Sequence, residues 1–207
     1  MLAETGILDG RTVTTHWALG ATFAARFPRV RLDLDRLLVD DGDLLTAGGV
    51  MAWVDLGLRI VDRYLGPTTV LAVARHFLVD PGGREQRFYS AFAPVLTHGD
   101  GAILAAQRWL QNTCAEHVDV PRMAAVARLG ERTFLRRFLR ATGLRPTEYL
   151  QHLRVGKARE LLERSDRSVD EVAASVGYED TGAFRKVFAR VLGLSPSEYR
   201  RRFAVRW

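Results

Sequence analysis

The side chains in this sequence best suited to a chemical task are its cations. Of 30 basic residues only Lys157 and Lys186 are lysine. Nearly every positive charge is therefore a planar guanidinium, whose fork of donors matches a phosphate or a guanine edge. These charges are unevenly placed. Residues 1–100 hold 10 arginines against 12 carboxylates and residues 101–207 hold 20 basic residues against 12, so the halves carry −2 and +8. A basic half in a chain of ordinary composition, 47% apolar and 26% charged, is the electrostatic footprint of a surface that meets phosphates. An acidic protein partner would suit the same excess, and a GC-rich coding sequence would produce the same arginine bias.

Hydrolytic chemistry finds little to work with. Residues 1–80 contain neither serine nor cysteine, so His16 has no usual nucleophile to activate, and a histidine hydrogen-bonded in place is the simpler reading. The single Cys114 lies on one apolar stripe with Ile103, Ala106 and Leu110, which marks a packed thiol, and one cysteine forms no internal disulfide. Asp40, Asp41 and Asp43 surround Gly42 but lack the full ligand pattern and closing glutamate of a calcium loop. They read as a tight turn between strands at 37–39 and 44–46. No metal site and no cofactor are expected. No run approaches the roughly 18 apolar residues of a membrane span, and residues 1–10 lack a signal-peptide core, so the expected setting is the cytoplasm, with no membrane partner.

The elements that must position the arginines are announced by a repeat. Shifted by 50 residues, 134–149 aligns with 184–199, and 8 of the 16 positions are identical, far beyond chance and the mark of one supersecondary unit used twice. Phe134 and Phe138, like Phe184 and Phe188, stand four apart on one helix face and form a core wedge, which leaves the opposite face free. Each of these helices runs to a glycine, Gly143 or Gly193, placed for a left-handed cap, and then through a leucine to Pro146 or Pro196 in the first turn of the next helix. Ser195 with Glu198, and Ser168 with Glu171, form capping boxes. Arg145 stands where Ser195 does, so the first copy's cap should be poorer. Upstream of each wedge lies a shorter helix, 120–127 or 169–176, then a turn, Arg128-Leu129-Gly130 or Gly177-Tyr178-Glu179-Asp180. Two short helices joined by a tight turn make a helix-turn-helix, whose second helix enters a major groove. A long helical run at about 147–164 connects the copies. Two such readers on one protein must lie about one DNA turn, ~34 Å, apart.

The duplicated pattern, closing in Gly-Leu-Ser-Pro-Ser-Glu-Tyr-Arg at 193–200, resembles the AraC/XylS-type DNA-binding domain over about 103–203. In that family the exposed residues flanking the wedge face the bases. Carried over by position they are Arg132, Leu135 and Arg136 in the first unit, and Thr181, Gly182, Arg185 and Lys186 in the second, with Arg140 and Arg190 added to the candidate DNA-binding set. Arg128 and Gly130 depart from the usual Gly and Ser, so the first reader lacks a capping hydroxyl and is expected to be less rigid. Leu135 and Gly182 offer no polar side-chain contact, so the arginines and apolar contact with thymine methyls would carry specificity. A solvated or phosphate-only role for each arginine stays open.

Residues 2–11, Thr15-His16-Trp17, Asp40-Asp41-Gly42-Asp43 and Thr46-Ala47-Gly48-Gly49 resemble the later part of a PfpI-type, class I glutamine-amidotransferase-like domain. Such domains carry their nucleophile elbow ahead of the stretch matched by residues 2–11, so roughly the first half of the domain is expected to be missing here and sheet edges left uncovered. The expected fold is thus mixed: a partial α/β domain over 1–80, a linker over 81–100, and an all-α domain over 101–207 with helix-turn-helix units at about 119–142 and 168–192. The resemblance implies a bacterial transcriptional regulator, not an enzyme, that binds double-stranded DNA. A homodimer and a contact with RNA polymerase are further partners it admits, and no small-molecule effector is identified. Two readings from other classes remain at this stage: an interaction module for an acidic protein, and a remnant amidase-like hydrolase.

Overall fold

A computed structural model describes residues 2–204. The chain divides into two compact units, Met1–Ser90 and Ala91–Trp207.

In the first unit, β1 (Thr12–Val13) passes through a short 3₁₀ turn and α1 (Gly20–Arg26) to β2 (Arg31–Leu32), which pairs with β1 in parallel. The 3₁₀ turn is capped by His16, whose Nδ1 accepts the Ala18 amide at 3.1 Å. Here His16 does structural work. Val13, Val30, Leu8 and Ala3 are buried between these elements, with Phe23 and Phe27 packed against them. The expected hairpin is present: β3 (Leu38–Asp40) pairs antiparallel with β4 (Leu45–Ala47), Leu38 opposite Ala47 and Asp40 opposite Leu45. Gly42 takes φ +83° in the turn, where a side chain would be strained. The three aspartates of this turn are occupied by arginines. Arg11 pairs with Asp41 at 2.6 Å and with Asp43, and Asp40 takes Arg59 at 3.1 Å together with Arg63.

Apolar residues recur at helical spacing over 49–64 and again over 68–77, a pattern that reads as two helices. The structure shows two helical segments within α2 (Trp53–Phe77), separated where expected: Gly66, at φ +79° and ψ 171°, is not helical and stands just before Pro67. The proline lacks an N–H and disfavours a helical predecessor, so the first segment stops at Gly66 and the second starts with Pro67 in its first turn. The start is later than expected because Gly49, at φ +114°, lies outside helical space.

The segment expected as a linker, 81–100, is divided between the two units. Gln86 is buried in the first, where its Nε2 donates to Thr14 Oγ1 at 2.8 Å, Thr15 O at 2.9 Å and Arg36 O at 3.0 Å, while its Oε1 accepts the Trp17 amide at 2.9 Å. Val95 and His98 belong to the second unit, each bonded to Gln107. Residues 81–100 show no sustained periodicity, which reads as a linker, and the division between the units falls within them. Side-chain hydrogen bonds rather than a regular helix or strand hold each end of the segment to its own unit.

The second unit is helical throughout its described residues from α3 onward: α3 (Gly101–Thr113), α4 (Val120–Val126), α5 (Glu131–Thr142), α6 (Pro146–Arg164), α7 (Val169–Ser175), α8 (Thr181–Leu192) and α9 (Pro196–Phe203). It holds two cores. Ile103, Leu110, Cys114, Met123, Phe134, Phe138 and Tyr149 form the first; Val155, Leu162, Val172, Phe184, Phe188 and Tyr199 form the second. The connector α6 serves both, giving Tyr149 and Leu150 to one and Val155, Ala158 and Leu162 to the other. At 19 residues it is a rod about 28 Å long.

Candidate nucleic-acid interface

Each of the two candidate reading helices, α5 and α8, is held from behind by its phenylalanine wedge. Phe134 and Phe138 on α5 are fully buried, as are Phe184 and Phe188 on α8. Their rings lie 5.3 Å and 5.6 Å apart, and the second ring of each pair meets a tyrosine edge-on, Tyr149 or Tyr199. With one face committed to the core, the residues between the wedge positions are turned outward.

The approach to each helix follows the caps. Asp119 accepts the Arg122 amide at 2.9 Å and starts α4. Ser168 and Glu171 exchange hydrogen bonds in a capping box that starts α7 and holds the Glu171 carboxyl below its ordinary range. The turn after α4 places Arg128 in the left-handed region at φ 53°, where the second copy has Gly177 at φ 84°. Then α5 begins at Gly130 without a side-chain cap, whereas α8 begins at Asp180, whose Oδ1 accepts the Gly182 amide at 2.7 Å. Gly143 and Gly193 close the two helices at φ 74° and 75°. The capping boxes at Ser168 and Ser195 are both formed, while the Arg145 side chain accepts no hydrogen bond and only Glu148 closes back on its amide, at 2.9 Å.

On α5, Arg132, Leu135, Arg136 and Arg140 are all exposed; on α8, Gly182, Arg185, Lys186 and Arg190 are exposed and Thr181 half-exposed. The seven residues carried over by position and the two arginines added to them therefore fall on two corresponding faces. Their charges are not equally free. Arg132, Arg136, Arg140 and Lys186 make no ion pair or hydrogen bond within the chain among the described residues. Arg185 lies 3.6 Å from Asp170, both groups well exposed, and Arg190 donates to Gln151 Oε1 on α6 at 2.6 Å.

Sequence reasoning missed two features of these faces. Leu139 is 46% exposed, one turn beyond Leu135 at 41%, and adds a second apolar residue to the first face; the i, i+4 spacing would have found it. Arg137, between the exposed Arg136 and the buried Phe138, is instead drawn off the face. It forms a two-bond pair with Asp100 at 2.7 Å and 2.9 Å. Asp100 also caps α3 through the Ile103 amide, and the Arg137 guanidinium, against a cost of burial, holds its carboxyl below the ordinary range. One aspartate thus ties the start of α3 to the middle of α5.

Two exposed helical faces, each bearing arginines with amphipathic or apolar neighbours and backed by a rigid core, offer bidentate donors to phosphates and guanine edges and methyl contact to thymine. Comparison with known proteins agrees with this geometry. Residues 123–202 match a family model described as a helix-turn-helix domain. Over 200 residues the chain is 26% identical to the HTH-type transcriptional regulator GbdR of Pseudomonas aeruginosa, covering 96% of this chain and 54% of that one. It is 42% identical over 92 residues to the HTH-type transcriptional activator RhaS of Escherichia fergusonii, 44% of this chain and 33% of the relative. Among solved structures it is similar to the C-terminal domain of AraT, a response regulator from Geobacillus stearothermophilus, with a TM-score of 0.50 at 23% identity over 51% of this chain and 88% of that one, a likeness of fold. The match to GbdR runs through both units, and the chain spans about half of that relative's length.

Proposed function

We infer that the C-terminal unit of this chain is an AraC-type helix-turn-helix domain, and from that premise we propose that the chain is a sequence-specific, double-stranded-DNA-binding transcriptional regulator. In this reading α5 and α8 enter successive major grooves. Arg132, Leu135, Arg136 and Arg140 face one groove, and Thr181, Gly182, Arg185, Lys186 and Arg190 the other. The observation that carries it is the duplication of one exposed, basic helix face behind one buried phenylalanine pair, Phe134/Phe138 and Phe184/Phe188. A solvated surface would not need the same wedge, closing glycine and outward cations twice.

The first unit is proposed to have no hydrolytic role. Its first 80 residues carry no serine or cysteine, and His16 Nδ1 is engaged by a backbone amide. The test is fluorescence anisotropy with a duplex selected from genomic DNA and with a scrambled duplex, each at two salt concentrations. Binding of the selected duplex at least ~10³-fold more tightly is the expected result. Equal affinity with a steep salt slope would reduce the role to phosphate contact, and no binding to either would overturn it.

A further inference from the structure

The two helix-turn-helix units meet a second time away from the axis of α6. Arg154, midway along that helix, donates from Nε to Cys114 O at 2.7 Å and from Nη2 to Glu116 O at 2.9 Å. Cys114 caps the C-terminal end of α3 and is buried in the first core, so the guanidinium sits where a helix's unsatisfied carbonyls favour a cation. The same guanidinium lies over the ring of Tyr178, 5.1 Å from its centroid. Tyr178 stands in the turn that leads into α8 and packs against Phe184 at 5.4 Å. Beside it, Gly177 runs so close to the first helix-turn-helix that a Cβ there would stand 2.6 Å from Ala115 O and 2.9 Å from Arg154 Nη2. The backbone of the second turn thus lies directly against the end of α3.

One shared helix fixes the distance between two bodies, yet it leaves them the bending freedom of a single rod. A contact off that axis removes this freedom. Resting on the two-groove reading above, we propose that Arg154 is a positioning residue for DNA recognition: by joining the end of α3 to the Gly177-Tyr178 turn it sets the spacing and angle between α5 and α8, without itself meeting DNA. Two readers in fixed geometry gain affinity multiplicatively on DNA of the matching spacing and lose that gain when the spacing is wrong.

The test uses the full chain and a duplex selected from a random-sequence pool for tightest binding. Three derivatives accompany it: each half scrambled in turn, and one base pair inserted between the halves. Arg154→Lys keeps the charge but not the planar fork that reaches two carbonyls, and Gly177→Ala pushes the turn off α3. The unaltered chain is expected to prefer the selected spacing over the inserted one by at least about tenfold. Either variant should cut that preference to under about threefold while holding each half-site affinity within about twofold. If both variants keep the spacing preference, or lose affinity equally on all four duplexes, the proposal is overturned. Should the melting curve show that Gly177→Ala does not fold, Arg154→Lys decides alone. A different failure belongs to the two-groove reading itself: the unaltered chain would then bind a half-scrambled duplex as tightly as the intact one.

Discussion

In the first helix-turn-helix unit the buried hydroxyl of Tyr149 accepts from a neutral amide, Gln107 Nε2, at 3.2 Å; in the second, the matching hydroxyl of Tyr199 accepts from Arg159 at 2.9 Å and donates to Glu163. The contrast continues outward. An Asp100–Arg137 pair braces α5, while α8 has the half-buried Val187 at the position of Arg137, packed on the second core. The left-handed turn residue is Arg128 in one copy and Gly177 in the other, and the residue before the last helix is Arg145 in one and Ser195 in the other. What stays constant is the wedge, because an interior packed to crystal density tolerates no change of volume. Polar locks can be exchanged as long as each buried group finds a partner. The outward faces are the freest of all, so one duplicated scaffold presents two different surfaces.

The sharpest way to break the comparison is to remove one ring from each core. Phe138→Ala and Phe188→Ala are each expected to cost about 3–5 kcal/mol, measured by urea unfolding. Equal costs would support equivalent cores. A cost at Phe138 lower by more than ~1 kcal/mol would show that the first unit leans on its Asp100–Arg137 brace instead.

The tyrosines sharpen it next. Burial, reinforced by Glu163, pushes the Tyr199 phenol up from 10.0 to about 12, and burial also pushes Tyr149 up, against the opposing hydrogen bond from Gln107. A phenol whose pKa is raised on folding contributes stability that is complete below its unfolded value and is lost as pH rises through the folded one. For Tyr199 the window is pH 10 to 12 and the loss about 2–3 kcal/mol. Unfolding between pH 9 and 11 is expected to show a steeper decline in the unaltered chain than in Tyr199→Phe. Tyr149→Phe should flatten the decline less; the reverse order would contradict the ionic assignment in the second copy.

Much of this was legible because it is local. The Phe-x-x-x-Phe wedges, the closing glycines, the capping serines and the hairpin around Gly42 are all written at fixed short spacings, and each forms as read. The capping glutamates went with them. What escaped was long-range and polar: Gln86 reaching back to Thr14, Arg137 to Asp100 and Arg154 to Cys114. These partners lie 72, 37 and 40 residues apart, and no periodicity links them. The break at Gly66-Pro67 was legible too, because glycine before proline is a local signal that stops one helical segment and starts the next.

The reading faces carry the next effect. Arg136→Ala and Arg185→Ala are each expected to weaken binding to the selected duplex by about 1–3 kcal/mol and to relax sequence preference at one groove only. The Asp170 neighbour of Arg185 partly engages that side chain before DNA arrives, so its loss should be the smaller of the two. Equal weakening on scrambled DNA would reassign the residue to phosphate contact.

Below this lies the turn. A non-glycine residue in the left-handed region costs about 1–2 kcal/mol, but glycine gives back about 0.5–1 kcal/mol as freedom in the unfolded chain. Arg128→Gly is therefore expected to stabilise by at most about 1 kcal/mol, whereas Gly177→Ala must destabilise, since it meets both the strained φ and the Ala115 carbonyl. A melting temperature lowered by Arg128→Gly would show that the arginine contributes something the turn geometry does not explain.

The smallest difference is also the cleanest to exchange. Arg145 and Ser195 precede their helices with nearly the same backbone, φ −68°, ψ 148° and φ −66°, ψ 157°, and each is followed three residues on by the glutamate that closes back on its amide. Only the hydroxyl that would accept the N3 amide differs. Arg145→Ser should therefore gain, and Ser195→Arg lose, about 0.5–1 kcal/mol, the two changes making the copies trade places. If the serine at 145 adds nothing to the urea midpoint, the returning Glu148 and the proline at the first helical position already fix that entry, and the missing hydroxyl is no weakness of the first unit.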